Sequence, residues 1–298
     1  MKHFQIYPQF FPQAQQLRAE FDRQFADPRA TDSKRFVWDY WYFENQYHLI
    51  RTPAFYYFTK KIYQNFHSHL VQWGRENLGC HDISPPWMSY YVDGCYQNLH
   101  SDVPHGPWAW VYSLTVNPKE FLGGETLILK PEILNYWTSF QDQHDREYNS
   151  FVDRLPSKFD QLIVFDPRFP HGVTEVKGTR DPQKARLVIH GWFVEPRPYV
   201  VGGLKTNQVQ KPIGETLMQF SDSIKDFSPL NGTVSLRIDV HPSGYVLNYK
   251  EVTNTIVSTI GQKKDVDLVK KILKKMFLEM KFVKAKSGSK ITIPILFK

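Results

Sequence analysis

Hydrophobic and polar positions along the chain follow two different periods. In the first part of the chain, apolar side chains recur every three or four positions, which is the spacing of amphipathic helices. This spacing predicts a helix over residues 12–25, with Leu17, Phe21 and Phe25 on one face, and a second helix over residues 55–73. Downstream, alternating and continuous apolar runs replace that pattern, and they predict strands.

Short strands are predicted throughout the middle of the chain. They cover residues 87–92, 108–116, 125–129, 161–165, 172–176 and 185–194. Turn residues separate them at fairly regular intervals, as in an all-β sandwich or jelly roll. The upstream helices are then expected to cover one face. The predicted fold class is therefore mainly β with flanking helices.

A smaller unit follows, in which the strand pattern restarts. Its predicted elements are strands over residues 234–240 and 245–252, a helix capped by Asp265, and a strand over residues 291–297. This order predicts a small α+β domain of the β-β-α-β type. The predicted division is a main domain over residues 1–203, a polar linker over residues 204–227, and an accessory domain over residues 228–298.

Two further segments each allow two interpretations. Residues 35–43 are unusually aromatic, and they either wall a substrate pocket or form a strand buried on both faces, which we favour. Residues 130–160 form a long connection that also carries aromatic side chains. Long connections are commonly lids or binding loops, so this one is either a lid over a substrate or a peripheral helical hairpin.

The composition indicates a soluble, cytoplasmic protein. Among the 298 residues no apolar run approaches the ~20 residues that cross a bilayer, and the first residues do not resemble a signal peptide. No membrane binding is expected. Cys80 and Cys95 are the two cysteines, for which we expect reduced thiols, with a single disulfide as the alternative.

The net charge of +7 is concentrated in the smaller unit. Residues 228–298 hold thirteen Lys and Arg against five Asp and Glu, so the rest of the chain is close to neutral. The main part therefore gives no electrostatic reason to expect nucleic-acid binding. The basic unit is interpreted as a solvated face, or as a surface that docks a protein partner or mediates self-association.

The candidate chemistry depends on two histidines and one aspartate. Side chains alternate along a strand, so His100 and Asp102 point to the same side and can grip one ion. His171 follows the apolar run 162–165 and completes a two-histidine, one-carboxylate set, the facial triad of non-heme Fe(II) oxygenases. Arg186 lies in another apolar strand, and a buried arginine needs an anion, which suggests a dicarboxylate cosubstrate.

These residues occur together with further motifs in a fixed order. The motifs are Tyr91-x-x-Gly94, His100-x-Asp102, Gly123-Gly124-Glu125-Thr126-Leu127, the strand into His171, and Arg186 followed by Trp192-Phe193. Over about residues 85–195, the chain resembles the Fe(II)/2-oxoglutarate-dependent dioxygenases, particularly the prolyl-4-hydroxylase-like branch.

The resemblance implies a double-stranded β-helix with the metal between its two sheets. It implies Fe(II) held by His100, Asp102 and His171, and 2-oxoglutarate held by Arg186 and the hydroxyl of Tyr91. The implied oxidoreductase hydroxylates an unactivated C–H of an amino-acid, peptidyl (prolyl) or natural-product substrate with O2. It releases succinate and CO2, and ascorbate is a candidate stimulant. The carboxylate of Asp102 favours hydroxylation over halogenation, while desaturation and cyclisation stay open.

Two departures from the family pattern leave alternatives open. The interval from His171 to Arg186 is longer than usual, so Arg180 in the inserted turn competes for the anion role. Arg186 is preferred because it lies in a strand. Tyr96 is one residue out of register with the second tyrosine of the family, which leaves its role open.

Six residues are secondary candidates for contacting the substrate or orienting the metal ligands. They are Tyr96, Asn98, His105, Trp110, Arg168 and His190. A hydrogen bond to a ligand is the expected role of Asn98, His105 and Arg168. His190 shares a strand face with Arg186 and is a reserve metal ligand.

The smaller unit resembles the C-terminal domain of TonB-type energy transducers. The features shared are the start Gly232-x-Val234, the turn His241-x-x-Gly244 and the closing alternating strand. In the absence of a membrane anchor, this implies only an accessory or docking domain. Two other functions stay open for the whole chain: a non-catalytic β-sandwich binding protein, and a cupin-like metal enzyme that does not use 2-oxoglutarate.

Overall fold

The computed structural model describes residues 3–27, 29, 33–102, 105–133, 150–260 and 262–297. Antiparallel pairing joins the strands into two sheets, one of twelve strands and one of five. Helices pack against both sheets. The predicted fold class, mainly β with flanking helices and a small α+β unit, is confirmed.

The first sheet contains all six strands that the alternation predicts, with bounds shifted by a few residues. Its strands are β1 (Phe4–Pro8), β2 (Asp39–Phe43), β3 (Tyr47–Pro53), β4 (Cys80–Ile83), β5 (Trp87–Tyr91), β6 (Tyr96–His100), β7 (Trp108–Ser113), β8 (Thr126–Leu129), β9 (Val152–Leu155), β10 (Gln161–Phe165), β11 (His171–Val173) and β12 (Arg186–Pro196). Their main order is β1-β10-β7-β12-β5-β3-β6-β11-β8-β9, with β2 beside β3 and β4 beside β12.

The first sheet curls so that distant strands face each other. Nη2 of Arg186 in β12 donates to Oγ1 of Thr126 in β8 at 3.1 Å, although four strands lie between β12 and β8 in the sheet order. Strand β3 joins the two halves, because its end pairs with β5 and its start pairs with β6. The interior of this jelly roll is therefore lined from both halves.

Helices α1 (Ala14–Phe25), α2 (Ala54–Tyr57) and α3 (Lys60–Leu78) cover the outside of this sheet. Phe21 of α1 and Phe66 of α3 are almost fully buried in its core. The single helix predicted over residues 55–73 is divided, because the backbone at Thr59 is extended. α3 ends at Gly79, whose φ of 70° is a left-handed conformation that glycine adopts without strain.

The second sheet forms the smaller unit. It contains β13 (Tyr199–Gly202), β14 (Leu230–Val240), β15 (Val246–Asn254), β16 (Val257–Ser258) and β17 (Ser289–Phe297), with helices α4 (Thr206–Ser223) and α5 (Lys263–Glu279). β14, β15, α5 and β17 follow the predicted β-β-α-β order. Asp265 is not the helix cap, because α5 begins at Lys263 and the Asp265 carboxylate accepts a hydrogen bond from the backbone N–H of Ser228 at 2.9 Å. The resemblance to TonB-type domains stays a prediction.

The segment over residues 204–227 is not the polar linker that the sequence predicts. Most of it is helix α4, and Val209, Ile213 and Phe220 are buried in the core of the second sheet. Side chains at this spacing share one helix face, so the helix packs as part of the smaller unit. The division of the chain into domains otherwise stays a prediction.

The second sheet also contacts the end of α3. Oγ of Ser235 donates to the carbonyl of Leu78 at 2.9 Å, Oγ1 of Thr292 donates to the carbonyl of Glu76 at 2.7 Å, and Arg237 donates to that same carbonyl. The last carbonyls of a helix lack intrahelical partners. These side chains satisfy them and join the two units.

The aromatic segment over residues 35–43 does not form a strand buried on both faces. β2 pairs with β3 alone, and all five of its residues are exposed. An edge strand without a covering layer leaves its side chains in solvent, which is the physical reason for the difference. Trp41 also lines the central cavity, so the pocket-wall interpretation agrees better with the structure.

Three remaining expectations concern the long connection, the cysteines and membranes. Residues 134–149 lie outside the described residues, so the lid and the helical hairpin both stay predictions. Cys80 and Cys95 are confirmed as free, buried thiols. Among the helices that the structure describes, none combines the length and apolar character needed to span a bilayer.

Candidate metal centre and its cavity

Three candidate metal ligands converge where β6 meets β11. β6 ends at His100, β11 begins at His171, and the antiparallel register places these two residues opposite each other. Cross-strand neighbours of this kind lie on the same face of a sheet. Asp102 follows β6, and its backbone N–H donates to the carbonyl of Pro167 at 3.0 Å. Ligand atoms of His100, Asp102 and His171 all lie within 4.8 Å of one another.

Hydrogen bonds orient both imidazoles toward the carboxylate. Nδ1 of His100 lies 2.9 Å from the carbonyl of Asn98, and Nδ1 of His171 lies 3.0 Å from the carbonyl of Phe169. Because a carbonyl only accepts, each Nδ1 carries a proton and each Nε2 is left for a metal. The Asp102 carboxylate lies 3.1 Å from Nε2 of His171 and 3.5 Å from Nε2 of His100.

Burial and neighbouring charges set the protonation of this cluster. Burial lowers the pKa of His100, and the nearby His171 lowers it further. Burial raises the pKa of Asp102, but the nearby imidazoles of His171, His100 and His105 outweigh it and lower this pKa below its ordinary value. A neutral imidazole and an ionised carboxylate are the forms that ligate metals. Two imidazoles and one carboxylate fit a divalent metal such as Fe(II) with open coordination positions.

The cluster opens into a cavity of about 860 Å³ inside the curled sheet. Four tryptophans contribute to its wall: Trp41, Trp87, Trp110 and Trp192. Small-molecule sites commonly have this size and combine aromatic walls with a few polar groups. The cavity can therefore hold a small ligand beside the three candidate metal ligands.

Arg186 lines the same cavity and is only 1% exposed. Its Nη2 donates to Oγ1 of Thr126, and its Cζ lies 4.5 Å from the ring centroid of Tyr91. Within the described residues, its Nε and Nη1 have no hydrogen-bond partner. Burial lowers the pKa of Arg186. A buried cation with free N–H groups calls for an anionic ligand.

The Gly123-Gly124 pair makes room for this arginine. Both glycines have a positive φ, 77° and 73°. A Cβ at Gly124 would lie 2.8 Å from the ring of Phe121 and 3.2 Å from Cδ of Arg186, and a Cβ at Gly123 would lie 1.9 Å from the carbonyl oxygen of Glu175. Gly124 therefore leaves space for the packing around Arg186, and Gly123 leaves space for the neighbouring backbone at Glu175.

Arg180, the competing candidate for the anion role, lies away from the cavity. Its side chain is 90% exposed, and a guanidinium nitrogen lies 4.0 Å from the Asp93 carboxylate. The turn that carries it is on the surface, so the geometry favours Arg186.

Four secondary candidates line the cavity wall or its rim: Asn98, His105, Trp110 and His190. Trp110 is fully buried in the wall. His105 is exposed at the rim and stacks on Trp192, with ring centroids 4.6 Å apart. The Asn98 side chain donates to the carbonyl of Asn45 at 2.7 Å, so it is the backbone of Asn98 that orients His100.

His190 lines the cavity but does not join the metal cluster. Among the described residues, the group with metal-binding geometry contains His100, Asp102 and His171 and no fourth residue. Nε2 of His190 lies 2.9 Å from Oγ of Ser89, and burial lowers its pKa to about 3. The reserve-ligand interpretation therefore does not agree with the geometry.

Tyr96 does not reach the cavity, because β6 contains a bulge. His171 and Val173 are two residues apart, but their partners His100 and Gln97 are three apart. The extra residue inverts the alternation, so Gln97 joins the face of His100, with their Nε2 atoms 3.3 Å apart. Tyr96 lines a separate surface pocket. Only the register shift reveals Gln97, and no sequence signal of β6 predicts it.

Arg168 also does not face the cavity. It pairs with the buried Asp166, and it donates to the carbonyl of Phe297 at 3.0 Å and to Oγ1 of Thr233 at 2.6 Å. Both acceptors belong to the second sheet. Arg168 thus anchors the loop that leads into His171 and does not lie next to a substrate.

Arg51 is a cavity residue that the sequence analysis does not single out. It lies in β3, which the apolar pattern does not predict because His48 and Arg51 interrupt it. An arginine directly after the apolar pair Leu49-Ile50, comparable to Arg186 directly before Leu187-Val188-Ile189, is the signal that could have identified it.

Comparisons with known proteins find likeness in structure only. No protein-family model matches the chain, and no curated protein matches its sequence. A prolyl-4-hydroxylase from Pseudomonas putida matches at 16% identity and a TM-score of 0.41, covering 64% of this chain and 92% of that one. A prolyl hydroxylase from Trichoplax adhaerens, solved with a hypoxia inducible factor peptide fragment, matches at 17% identity and a TM-score of 0.42. The match covers 64% of this chain and 83% of that one.

A third match is the collagen prolyl hydroxylase of Paramecium Bursaria Chlorella virus-1 in its 2-oxoglutarate complex. It shows 13% identity and a TM-score of 0.38, covering 64% of this chain and 95% of that one. Since these TM-scores lie below 0.5, neither the family nor the activity of this chain follows from them.

Proposed function

We propose that this chain is a non-heme Fe(II)- and 2-oxoglutarate-dependent dioxygenase that hydroxylates an unactivated C–H. One observation carries the proposal: the cluster of His100, Asp102 and His171 opens into the same cavity as Arg186, a buried cation with two partnerless nitrogens among the described residues. A metal and a carboxylate ligand would satisfy both features at once.

The residues present fit both groups. Two imidazole nitrogens and a carboxylate are the donor set of Fe(II) oxygenases, with positions left open for ligands. A planar guanidinium matches a carboxylate through parallel N–H bonds, and Arg186 keeps Nε and Nη1 free for them. Oγ1 of Thr126 fixes the third nitrogen, and the ring of Tyr91 supports the guanidinium from one face. A contact from the Tyr91 hydroxyl to the same carboxylate is part of the proposal.

Each residue has a defined task in this proposal. His100, Asp102 and His171 hold the metal, and Arg186 binds the far carboxylate of 2-oxoglutarate, which fixes the distance between the two sites. When bound, the two groups supply oxidation by O2, in which 2-oxoglutarate becomes succinate and CO2 while a substrate C–H becomes C–OH. The tryptophan wall keeps bulk water from the reacting atoms.

The substrate class is proposed more broadly, as an amino acid, a peptidyl (including prolyl) residue or a natural-product intermediate. Asp102 occupies the coordination position that halogenation would need, so hydroxylation is proposed. Ascorbate is included as a reductant that keeps the metal ferrous. The smaller basic unit is proposed as an accessory domain for a protein partner or for self-association.

Succinate release is the experiment that tests the proposal. Purified full-length chain with Fe(II), ascorbate and 2-oxoglutarate should release succinate, and candidate substrates should increase it. Arg186→Gln removes two charge-assisted hydrogen bonds and should weaken 2-oxoglutarate binding about 100-fold, while the matched surface change Arg180→Gln should leave it unchanged. If the chain binds metal and its turnover is the same in Arg186→Gln as in the wild type, the proposal is contradicted and a cupin-like enzyme is favoured.

A further inference from the structure

Arg51 presents a second cation to the cavity. It lies in the middle of β3, paired with Ser89 of β5 on one side and Asp39 of β2 on the other. Its guanidinium lies between the indole rings of Trp41 and Trp87, with Cζ 4.0 Å from the Trp87 centroid. Stacking of this kind holds an arginine in place without neutralising it.

No carboxylate of the described chain forms an ion pair with this guanidinium, although the charge of Asp39 in β2 raises its pKa. Within the described residues, Nε of Arg51 has no hydrogen-bond partner, and none of the ion pairs includes Arg51. Burial lowers its pKa to about 10, and the negative charge of Asp39 acts in the opposite direction. The side chain therefore stays charged at neutral pH. The cavity therefore holds a positive charge that no ion pair of the described residues neutralises.

The charged side chains that line the cavity leave room for one more anion. Its described lining carries Arg51, Arg186 and Asp102 as charged side chains, which leaves one positive charge when the histidines are neutral. A divalent metal and a dicarboxylate cancel each other, so they do not change this excess. A second bound anion of single charge would neutralise it.

We propose that Arg51 binds a carboxylate of the substrate, so that the substrate is a small acid, such as a free amino acid or a chain with a free carboxyl end. The indole rings of Trp41 and Trp87 lie against the guanidinium, which leaves its edge for an anion, and the parallel N–H groups of that edge match a planar carboxylate. The flanking rings then contact an apolar substrate body. This inference rests on the proposed function, because that function fills Arg186 with the cosubstrate.

A binding experiment without turnover tests this assignment. Tryptophan fluorescence of the full chain, anaerobic with Fe(II) and saturating 2-oxoglutarate, is followed while cyclohexanecarboxylate or the uncharged cyclohexanecarboxamide is added. The carboxylate should bind with a Kd of about 1–10 mM, and the amide at least about 10-fold more weakly. Arg51→Gln should abolish the preference, and Arg180→Gln should preserve it.

Several outcomes would overturn the assignment. They are equal binding of acid and amide, a preference that survives Arg51→Gln, and the absence of any saturable response up to about 100 mM. Arg51→Lys keeps the charge and loses the planar fork, so it should weaken binding of the acid about threefold or more. Unchanged affinity in Arg51→Lys also counts against the role of Arg51, even if Arg51→Gln does not fold.

The same titration separates this inference from the proposed function. Repeated without 2-oxoglutarate, the response to cyclohexanecarboxylate should depend on Arg51 in the wild type and in Arg186→Gln alike. If the response to cyclohexanecarboxylate is lost in Arg186→Gln and kept in Arg51→Gln, Arg186 is the anion site that the titration detects and the inference fails. If 2-oxoglutarate does not bind at all but the Arg51-dependent preference persists, the dioxygenase proposal fails and the carboxylate site stands.

Discussion

The two sheets of this protein differ in how many of their buried polar groups have hydrogen-bond partners. In the larger sheet, nitrogens of Arg186 and Arg51 at the cavity have no partner among the described residues. In the smaller sheet, Ser235 and Thr292 donate to backbone carbonyls, and of its described side chains only the hydroxyl of Tyr249 is buried without a partner. Buried polar groups are nearly always paired, so the unpaired arginine nitrogens at the cavity indicate a place for a ligand. The larger sheet is thus organised for binding and the smaller one for support.

The support nevertheless extends to the site. Thr255 of the smaller unit donates to the buried Asp166 carboxylate at 2.6 Å, and Arg168 joins that carboxylate to β14 and β17. This loop leads directly into His171, and its Pro167 carbonyl accepts from the backbone of Asp102. The smaller sheet therefore holds the loop on which two candidate ligands depend.

The largest expected effect is the loss of metal from His171→Ala. Removing one of three ligands should reduce Fe(II) affinity about 100-fold or more, beyond the 10–100-fold loss typical of outer partners. Anaerobic equilibrium titration with Fe(II) measures it, and His105→Ala, at the cavity rim, should bind as the wild type does. Equal affinity in His171→Ala and the wild type would contradict the assigned ligand set.

A core change in helix α5 of the smaller unit should lower stability and leave Fe(II) affinity unchanged. Phe277 is fully buried, so Phe277→Ala should reduce the free energy of unfolding by about 3–5 kcal/mol. The neighbouring Leu278 is 38% exposed, and Leu278→Ala should cost less than about 0.5 kcal/mol. Urea denaturation measures both, and the folded fraction of either variant should keep wild-type Fe(II) affinity.

Arg168→Ala tests the connection between the two sheets. It removes charge-assisted hydrogen bonds and leaves Asp166 short of partners, so it should reduce the free energy of unfolding by about 2–3 kcal/mol. It should also weaken Fe(II) binding about 10-fold, because the loop into His171 is released. The exposed pair of Arg197 and Glu195 provides the control, since Arg197→Ala should change neither quantity measurably. Full metal affinity in Arg168→Ala would show that the second sheet does not support the site.

The last expected effect is confined to acid pH and concerns His190. Burial holds its pKa at about 3, below the ordinary 6.5, so between these pH values the unfolded chain binds a proton that the folded chain excludes. The free energy of unfolding therefore falls as the pH is lowered from about 6.5. His190→Gln should make this dependence on pH less steep, by at most the contribution of one bound proton. Urea denaturation at a series of pH values measures the slope. An identical slope in both proteins would show that His190 is not buried in its neutral form.

The sequence predicts those parts of the site that follow a regular spacing along the strands. His171 and Arg186 lie next to or within apolar runs, whereas His100 and Asp102 are identified by their spacing of two and by the order of the motifs, since β6 is largely polar. Because of the bulge in β6, Gln97 and not Tyr96 lies on the same face as His100. Nothing in the local pattern indicates where the strand accommodates an extra residue. Register depends on the partner strand, so this detail is a tertiary property.

Two other differences have the same origin. Residues 204–227 appear polar, and Pro212 and Gly214 discourage a helix, yet burial of Val209, Ile213 and Phe220 against the second sheet outweighs that preference. Arg168 finds its partners 65 and 129 residues away, in Thr233 and Phe297, so its role depends on long-range packing that spacing alone does not indicate.

The stoichiometry of Fe(II) on the purified full-length chain tests the central claim most directly. Three side chains from β6, its following residues and β11 should hold a single ion, so the account predicts one Fe(II) for each wild-type chain under anaerobic conditions, and no stoichiometric binding after Asp102→Ala. A wild-type chain that takes up no stoichiometric iron, or an Asp102→Ala variant that takes up as much, would contradict it.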